Sequence, residues 1–202
     1  MGSGSSRSGR SIWEHIPAFQ TLQIAMIGLD YSGKTTALYR LKFNEFINSV
    51  PTIGFNVEKV KPSSGKAKGT TFTFWDVGGQ DKLRPLWKSY TRGADGIVFV
   101  VDSCDIDKLE EAKTELTKLL KTQENQGTPL IVIANKQDLP AALNVKEVEA
   151  RLGVADIVGP MQLWHVQPAC AITGEGLFEG LDILYDMILK RKKIAKQQKK
   201  KR

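Results

Sequence analysis

The octapeptide Gly28-Leu-Asp-Tyr-Ser-Gly33-Lys34-Thr35 constrains this chain more than any other stretch, because it follows the apolar run Ile24–Ile27 and opens into helix-period sequence. G-x-x-x-x-G-K-[ST] at a strand-to-helix junction is a phosphate cradle. Its glycines let the backbone curl until successive N–H groups and the positive end of a helix dipole face an anion. Lys34 adds a point charge for the β- and γ-phosphates, and the Thr35 hydroxyl is placed to ligate Mg²⁺. The chemistry is that of a nucleoside triphosphate. Such a loop works at the carboxyl edge of a mainly parallel sheet, so the remaining sequence should alternate strands with helices.

It does. Leu22–Leu29, Phe72–Asp76, Gly96–Asp102, Leu130–Asn135 and Leu163–Ala171 are short apolar runs bounded by Gly, Asp or Pro, and they read as strands. Thr35–Phe43, Asp107–Lys121, Val145–Leu152 and Leu177–Leu189 carry helical periodicity. One pair departs from the βαβ alternation. Phe55–Lys61 alternates and is joined to Phe72–Asp76 through Pro62–Gly69, which predicts an antiparallel hairpin inside an otherwise parallel sheet with helices on both faces.

Asp76, in Trp75-Asp-Val-Gly-Gly-Gln80, ends a strand predicted to lie beside the phosphate loop and is placed to hold Mg²⁺ through water. Gly79 has no side chain to obstruct its N–H from a γ-phosphate, and Gln80 is the candidate for orienting an attacking water. Thr52, in Pro51-Thr-Ile-Gly54, is a candidate third protein group at the metal, although Pro-Thr-x-Gly is also an ordinary loop sequence. Asn135-Lys136-Gln-Asp138 suits guanine. Asp138 can accept from both N1–H and the exocyclic amine, Asn135 can tie the base loop to the phosphate loop, and the Lys136 stem can cover the ring. Adenine cannot offer those two donors together, and a buried carboxylate left without them is costly. Alone, Asn-Lys-x-Asp reads equally well as a solvated turn; beside a phosphate loop it points to the base.

The 202 residues fit one domain with two tails. The net charge of +7 is not spread over it, because the last 13 residues, Lys190–Arg202, hold nine basic residues and no acid, leaving 20 basic against 22 acidic residues elsewhere. Like charges at i,i+4 predict an extended, available tail rather than a helix. With no interleaved aromatics and a body near −2, nucleic acid is disfavoured as a partner. No 18-residue apolar run exists, and Cys104 and Cys170 have neither disulfide-framework nor zinc spacing, which suits a reducing compartment. Residues 1–19 form a Ser/Gly-rich leader ending in a short amphipathic patch of Ile12, Trp13, Ile16 and Phe19, followed by a domain over 20–189. Met1-Gly2-Ser-Gly-Ser-Ser6 fits an N-myristoylation pattern at Gly2, one that a Ser/Gly leader meets easily.

Taken together, Gly28–Thr35, Pro51-Thr-Ile-Gly-Phe-Asn56, Trp75-Asp-Val-Gly-Gly-Gln80, Arg84-Pro-Leu-Trp87, Asn135-Lys-Gln-Asp138 and Cys170-Ala-Ile172 resemble the Arf and Arf-like small GTPases of the Ras superfamily. Lys88-Ser-Tyr-Thr-Arg92, Glu124-Asn-Gln-Gly127, Leu184-Tyr-Asp-Met-Ile188 and the basic tail are similar in particular to the Arf-like 4 subgroup. The resemblance implies an α/β P-loop NTPase of Ras-like topology that binds GTP, GDP and Mg²⁺. It places Asp30, Ser32, Gly33, Lys34, Thr35, Thr36, Thr52, Gly79, Asn135, Lys136, Asp138, Cys170 and Ala171 around the nucleotide. Among these, Thr36 is expected at the α-phosphate, Ala171 N–H at the guanine O6, and Thr52 on the metal as sensor of the γ-phosphate. Gln80 and Lys34 are the expected catalytic residues, with the metal held by Thr35, Thr52 and, through water, Asp76. Loops around 46–56 and 77–92 become the two switches. Three residues depart from the pattern: Ile53 stands where the subgroup is expected to carry lysine and reads like an Arf, Tyr31 takes a phosphate-loop position usually small in the family, and Ile172 replaces the polar residue typical of Arfs but fits the subgroup.

The implied function is a monomeric GTP switch whose slow hydrolysis depends on an activating protein that supplies an arginine in trans. An exchange factor loads it, and effectors such as Arf exchange factors, recruited through the switch loops, carry its output to membrane traffic, plasma-membrane and actin remodelling. Myristate at Gly2 gives only about 5 kcal/mol of membrane binding, so the amphipathic patch or the tail must add the rest. The expected location is the cytoplasmic face of the cell membrane and the cytoplasm, with an importin-read nuclear or nucleolar pool through the tail. The alternative is a GTP-dependent binding module with negligible turnover and a nuclear role.

Overall fold

The computed structural model describes residues 21–200. The leader, including Gly2 and the Ile12–Phe19 patch, lies outside the described residues. Six strands, β1 (Thr21–Ile27), β2 (Phe55–Val60), β3 (Thr71–Val77), β4 (Gly96–Asp102), β5 (Leu130–Asn135) and β6 (Trp164–Pro168), form one sheet in the order β2-β3-β1-β4-β5-β6. All neighbours are parallel except β2, which pairs antiparallel with β3 from Phe55↔Val77 to Val60↔Phe72. Strand order switches at β1, with β3 and β2 laid to one side of it and β4, β5 and β6 to the other, so the crevice for a ligand opens at the carboxyl end of β1.

The central strands carry apolar residues on both faces, as sheets covered twice must. Alternation then sorts them. Ile24, Met26, Phe74, Val98, Val100, Ile131 and Ile133 pack with Leu38 and Leu41 of α1 (Lys34–Phe43) and Leu181, Leu184 and Ile188 of α6 (Leu177–Lys200). Ile97, Phe99, Val101, Val132 and Ala134 face the other way, onto Trp87 of α2 (Trp87–Thr91), Leu109, Leu116 and Leu120 of α3 (Ile106–Leu120), and Val148 and Leu152 of α4 (Val145–Leu152). The short α5 (Val154–Ile157) follows, adding buried Val154 to that second core. The Ras-like α/β architecture expected from the sequence is therefore the one observed. α2, α5 and the 3₁₀ segment Asp81–Leu86 escaped the sequence reading because none is long enough to display a helical period.

The predicted extended tail is corrected. α6 continues without a break to Lys200. Its first half is already ordered by the buried Leu177, Leu181, Leu184 and Ile188, so each added residue extends a helix without paying for nucleation. Lys, Arg, Gln and Ala are good helix formers, and cations suit a helix carboxyl end. Two basic residues are also used locally: Lys192 Nζ lies 2.9 Å from Asp95 Oδ1, and Arg191 Nη1 donates to the Ala94 carbonyl at 3.5 Å. At the same helix, Asp182 Oδ1 accepts from Ala67 N–H at 2.8 Å and Asp186 Oδ2 meets Lys66 Nζ at 2.5 Å. The Pro62–Gly69 connection is thereby latched onto α6, with Ala67 wholly buried beneath it.

Candidate nucleotide-binding site

A cleft of about 340 Å³ opens at the carboxyl ends of β1 and β3, lined by Asp30, Gly33, Lys34, Thr35, Thr36, Thr52, Gly79, Gln80, Asn135, Lys136, Asp138 and Ala171. Twelve of the residues singled out in the sequence are thus brought to one cavity, from segments up to 141 positions apart. Gly33 caps α1 at φ 91°, a left-handed conformation that disfavours a side chain, and a Cβ there would stand 2.2 Å from Asn135 Nδ2. That nitrogen donates to the Ser32 carbonyl at 2.8 Å, while Asn135 Oδ1 accepts from Ala171 N–H at 2.9 Å. One buried amide therefore ties phosphate loop, base loop and the 170–172 loop together.

At the phosphate end, Lys34 Nζ donates to the Leu29 carbonyl at 2.7 Å, and burial pulls its pKa down to about 8 against the opposing pull of Asp76 and Asp30. Thr35 Oγ1 donates to Asp76 Oδ2 at 2.6 Å and lies 2.9 Å from Thr52 Oγ1. Asp76 is fully buried, burial pushes its carboxyl above the usual range, and Oδ1 has no hydrogen-bond partner. A cation and an anion both disfavoured by burial suit a site completed by other charges. Thr36 Oγ1 sits 3.1 Å from Ser49 Oγ, which draws the loop around 46–52 over the cleft.

Several expectations change. Ser32 is buried with its hydroxyl turned to the Leu29 carbonyl at 2.9 Å, and Cys170 is buried with Sγ accepting from Thr173 N–H at 3.4 Å; neither lines the cleft. The Ala171 N–H, expected at guanine O6, is directed at Asn135. Asp30 lines the cleft, but its carboxylate reaches Lys108 Nζ at 3.1 Å on α3. Lys136 has its ammonium fixed 2.5 Å from Asp102 Oδ2, which sets the course of its stem. Gly79 is required for a further reason: a Cβ there would lie 2.3 Å from Asp30 N, inside the phosphate-loop backbone. Tyr31, 75% exposed at the rim, holds φ 61°. Sequence reasoning missed Phe46, Asn48, Ser49 and Val50 as individual lining residues, although it placed a switch over them.

Comparison with known proteins agrees with this geometry. The model of the ADP-ribosylation factor family matches residues 10–188. Human ADP-ribosylation factor-like protein 4C is 66% identical over 190 residues, covering 94% of this chain and 98% of its own. Human ADP-ribosylation factor-like protein 4A is 57% identical over 202 residues, the full length of both. Among solved structures, the Arl6 BBS3 small GTPase of Trypanosoma brucei, determined with the bound nucleotide analogue GppNp, superposes with a TM-score of 0.75 at 30% identity, over 85% of this chain and 99% of that one. The chain belongs to the ADP-ribosylation factor family, in its Arf-like 4 subgroup, and is a guanine-nucleotide-binding small GTPase.

Proposed function

We propose that this chain is a Mg²⁺-dependent GTP switch that acts at an anionic membrane and signals by recruiting proteins to the surface between its two switch loops. The observation that carries the reading is the convergence of Thr35, Thr52 and the unpartnered Asp76 Oδ1. Hydroxyl and carboxylate oxygens are the donors Mg²⁺ prefers, and the ion keeps several waters, which suits Asp76 acting through one. Thr35 and Thr52 would hold the metal; when bound, it neutralises charge on the β- and γ-phosphate oxygens. Lys34, poised near pH 8 by burial, is fully cationic once a triphosphate lies against it. Gln80, at the cleft wall beside Gly79, orients the attacking water, and an activating protein supplies the arginine in trans.

Nucleotide state reaches the surface through Thr52. Beyond it stand Ile53, 90% exposed, and the half-exposed Phe55, whose ring centroid lies 5.2 Å from that of Tyr90 and 5.9 Å from that of Trp75. An aromatic cluster that exposes Phe55 over the partly buried Trp75 and Tyr90 is suited to an effector's apolar anchor. Recruited Arf exchange factors, with outputs in membrane traffic, plasma-membrane and actin remodelling, complete the proposal. Myristate at Gly2 and the basic end of α6 supply two membrane signals, and importin capture of the same basic end would supply a nuclear pool.

The test is Gln80→Leu in a single-turnover GTP assay with and without an activating protein. Stimulated hydrolysis should be lost; undiminished stimulated hydrolysis removes Gln80 from the mechanism, while negligible turnover in the parent chain would favour a pure binding module. Imaging of the intact chain beside Gly2→Ala and a truncation before Lys190 separates the membrane and nuclear addresses.

A further inference from the structure

Three consecutive backbone carbonyls, Gly78, Gly79 and Gln80, are each held by a donor from the segment that follows them. Trp87 Nε1 donates to Gly78 O at 3.0 Å, Arg84 Nε to Gly79 O at 3.0 Å, and Leu83 N–H to Gln80 O at 2.8 Å. The middle donor differs from the others. Arg84 is charged, its side chain is only 9% exposed, and its Nη1 is 2.8 Å from Glu111 Oε1 on α3, with Nη2 2.5 Å from the exposed Asp81. Glu111 Oε2 meets Lys108 Nζ at 3.4 Å, and the same ammonium meets Asp30 Oδ1 in the phosphate loop at 3.1 Å. Asp30 N is the atom a Cβ on Gly79 would strike, so the circuit closes on itself: Gly79, Arg84, Glu111, Lys108, Asp30 and back to Gly79.

We propose that Arg84 is a positioning residue for hydrolysis: held by Glu111, it fixes the Gly79–Gln80 peptide so that Gln80 leaves the chain aimed into the cleft. The Gly79 carbonyl and the Gln80 N–H share one rigid peptide plane. Anchoring that oxygen leaves the Gln80 side chain with its own torsions and little backbone freedom, and a misplaced water-orienting group is expensive in rate. A charge-assisted donor held by buried geometry is suited to this, because it is stronger and more directional than a neutral one. Lys108 and Glu111, one turn apart on α3, give switch and phosphate loop a common mount. The proposal rests on Gln80 orienting the water.

The experiment uses the full chain loaded with radiolabelled GTP, followed through a single turnover over hours, with fluorescent GDP release measured in parallel. Arg84→Met keeps the aliphatic stem and removes every donor. Hydrolysis should fall about tenfold with GDP release changed less than twofold, since Arg84 is not among the cleft-lining residues. Arg84→Lys, which keeps the charge but lacks the planar fork, should stay below half the parent rate, and Glu111→Gln should give a smaller loss. The deciding variant is the double Gln80→Leu/Arg84→Met. A residue acting through Gln80 adds nothing once Gln80 is gone, so the double should match Gln80→Leu alone. A further tenfold loss in the double overturns the proposal, as does a normal rate in Arg84→Met beside a slow Gln80→Leu. A general structural role is diagnosed if GDP release accelerates as much as hydrolysis slows, and that also overturns it. Undiminished hydrolysis in Gln80→Leu instead removes the underlying reading of Gln80.

Discussion

Replacing Asn135 by alanine should do more damage than its small size suggests. The amide is 2% exposed and makes two bonds between loops distant in sequence, donating to Ser32 O at 2.8 Å and accepting from Ala171 N–H at 2.9 Å. Removing it strands a buried carbonyl and a buried N–H, each costing about 1–3 kcal/mol. The sum, about 2–6 kcal/mol, corresponds to a fall in melting temperature of at least about 4 °C for a chain of this size, at about 2 °C or more per kcal/mol. Because the lost bonds join the base side of the cleft to the phosphate side, nucleotide should leave faster as well, by about tenfold if ~1.4 kcal/mol of the loss falls on the bound state. Thermal unfolding at one fixed GDP concentration, which holds ligand linkage constant, and release of a fluorescent GDP analogue are the assays. Asn135→Asp serves as the partner variant. It keeps the acceptor for Ala171 but turns a carboxylate oxygen towards the Ser32 carbonyl, so it should be no better than alanine. A melting temperature within 1 °C of the parent and an unchanged release rate for Asn135→Ala would refute the reasoning.

Asp182→Ala should unlatch the Pro62–Gly69 connection from α6 by removing the acceptor for Ala67 N–H, accelerating amide hydrogen exchange over residues 66–69 while the β1 and β4 amides keep their protection. Phe55→Glu should weaken GTP-dependent effector capture at least tenfold in pull-down titrations without altering GDP release, since Phe55 lies outside the cleft. The hydrogen bond from Arg84 holds the Glu111 carboxyl below its usual range. That contribution to stability is present above the ordinary glutamate pKa of about 4.3 and fades as pH falls through the lower, folded value. Urea unfolding of Glu111→Gln should accordingly show a shallower loss of stability on acidification than the parent.

How far the sequence could be read follows from where the information sits. The core strands and the phosphate loop announce themselves because strand pattern, glycine spacing and helix onset are all local, and strands at Gly96–Asp102 and Leu130–Asn135 were placed to the residue. Asn135, Asp138, Thr52 and Gln80, singled out through the chemistry a nucleotide demands, all line the cleft. The bracing around Gly79 was not, because Arg84 and Glu111 are 27 positions apart and each looks like an ordinary surface charge. Nor was the latch, whose partners Ala67 and Asp182 are 115 positions apart. Local rules also misjudged residues 190–200. Like-charge repulsion is a few tenths of a kcal/mol per pair; a helix already anchored through Ile188 and locally paired at Asp95 outweighs it.

That helix changes what the terminal charge can do. At 1.5 Å per residue, Lys200 stands about 18 Å past Ile188 on a stiff arm rather than somewhere in the cloud a coil would sweep. Ordering entropy that a coil would lose on docking has already been lost in the helix. An arm of fixed bearing also carries angular information: whichever anionic plane receives its lysines, the domain arrives at a restricted tilt, and the aromatic cluster between the switches is presented at one inclination instead of many. Charge alone would determine whether such a surface held the protein; the helix would determine which way it faced.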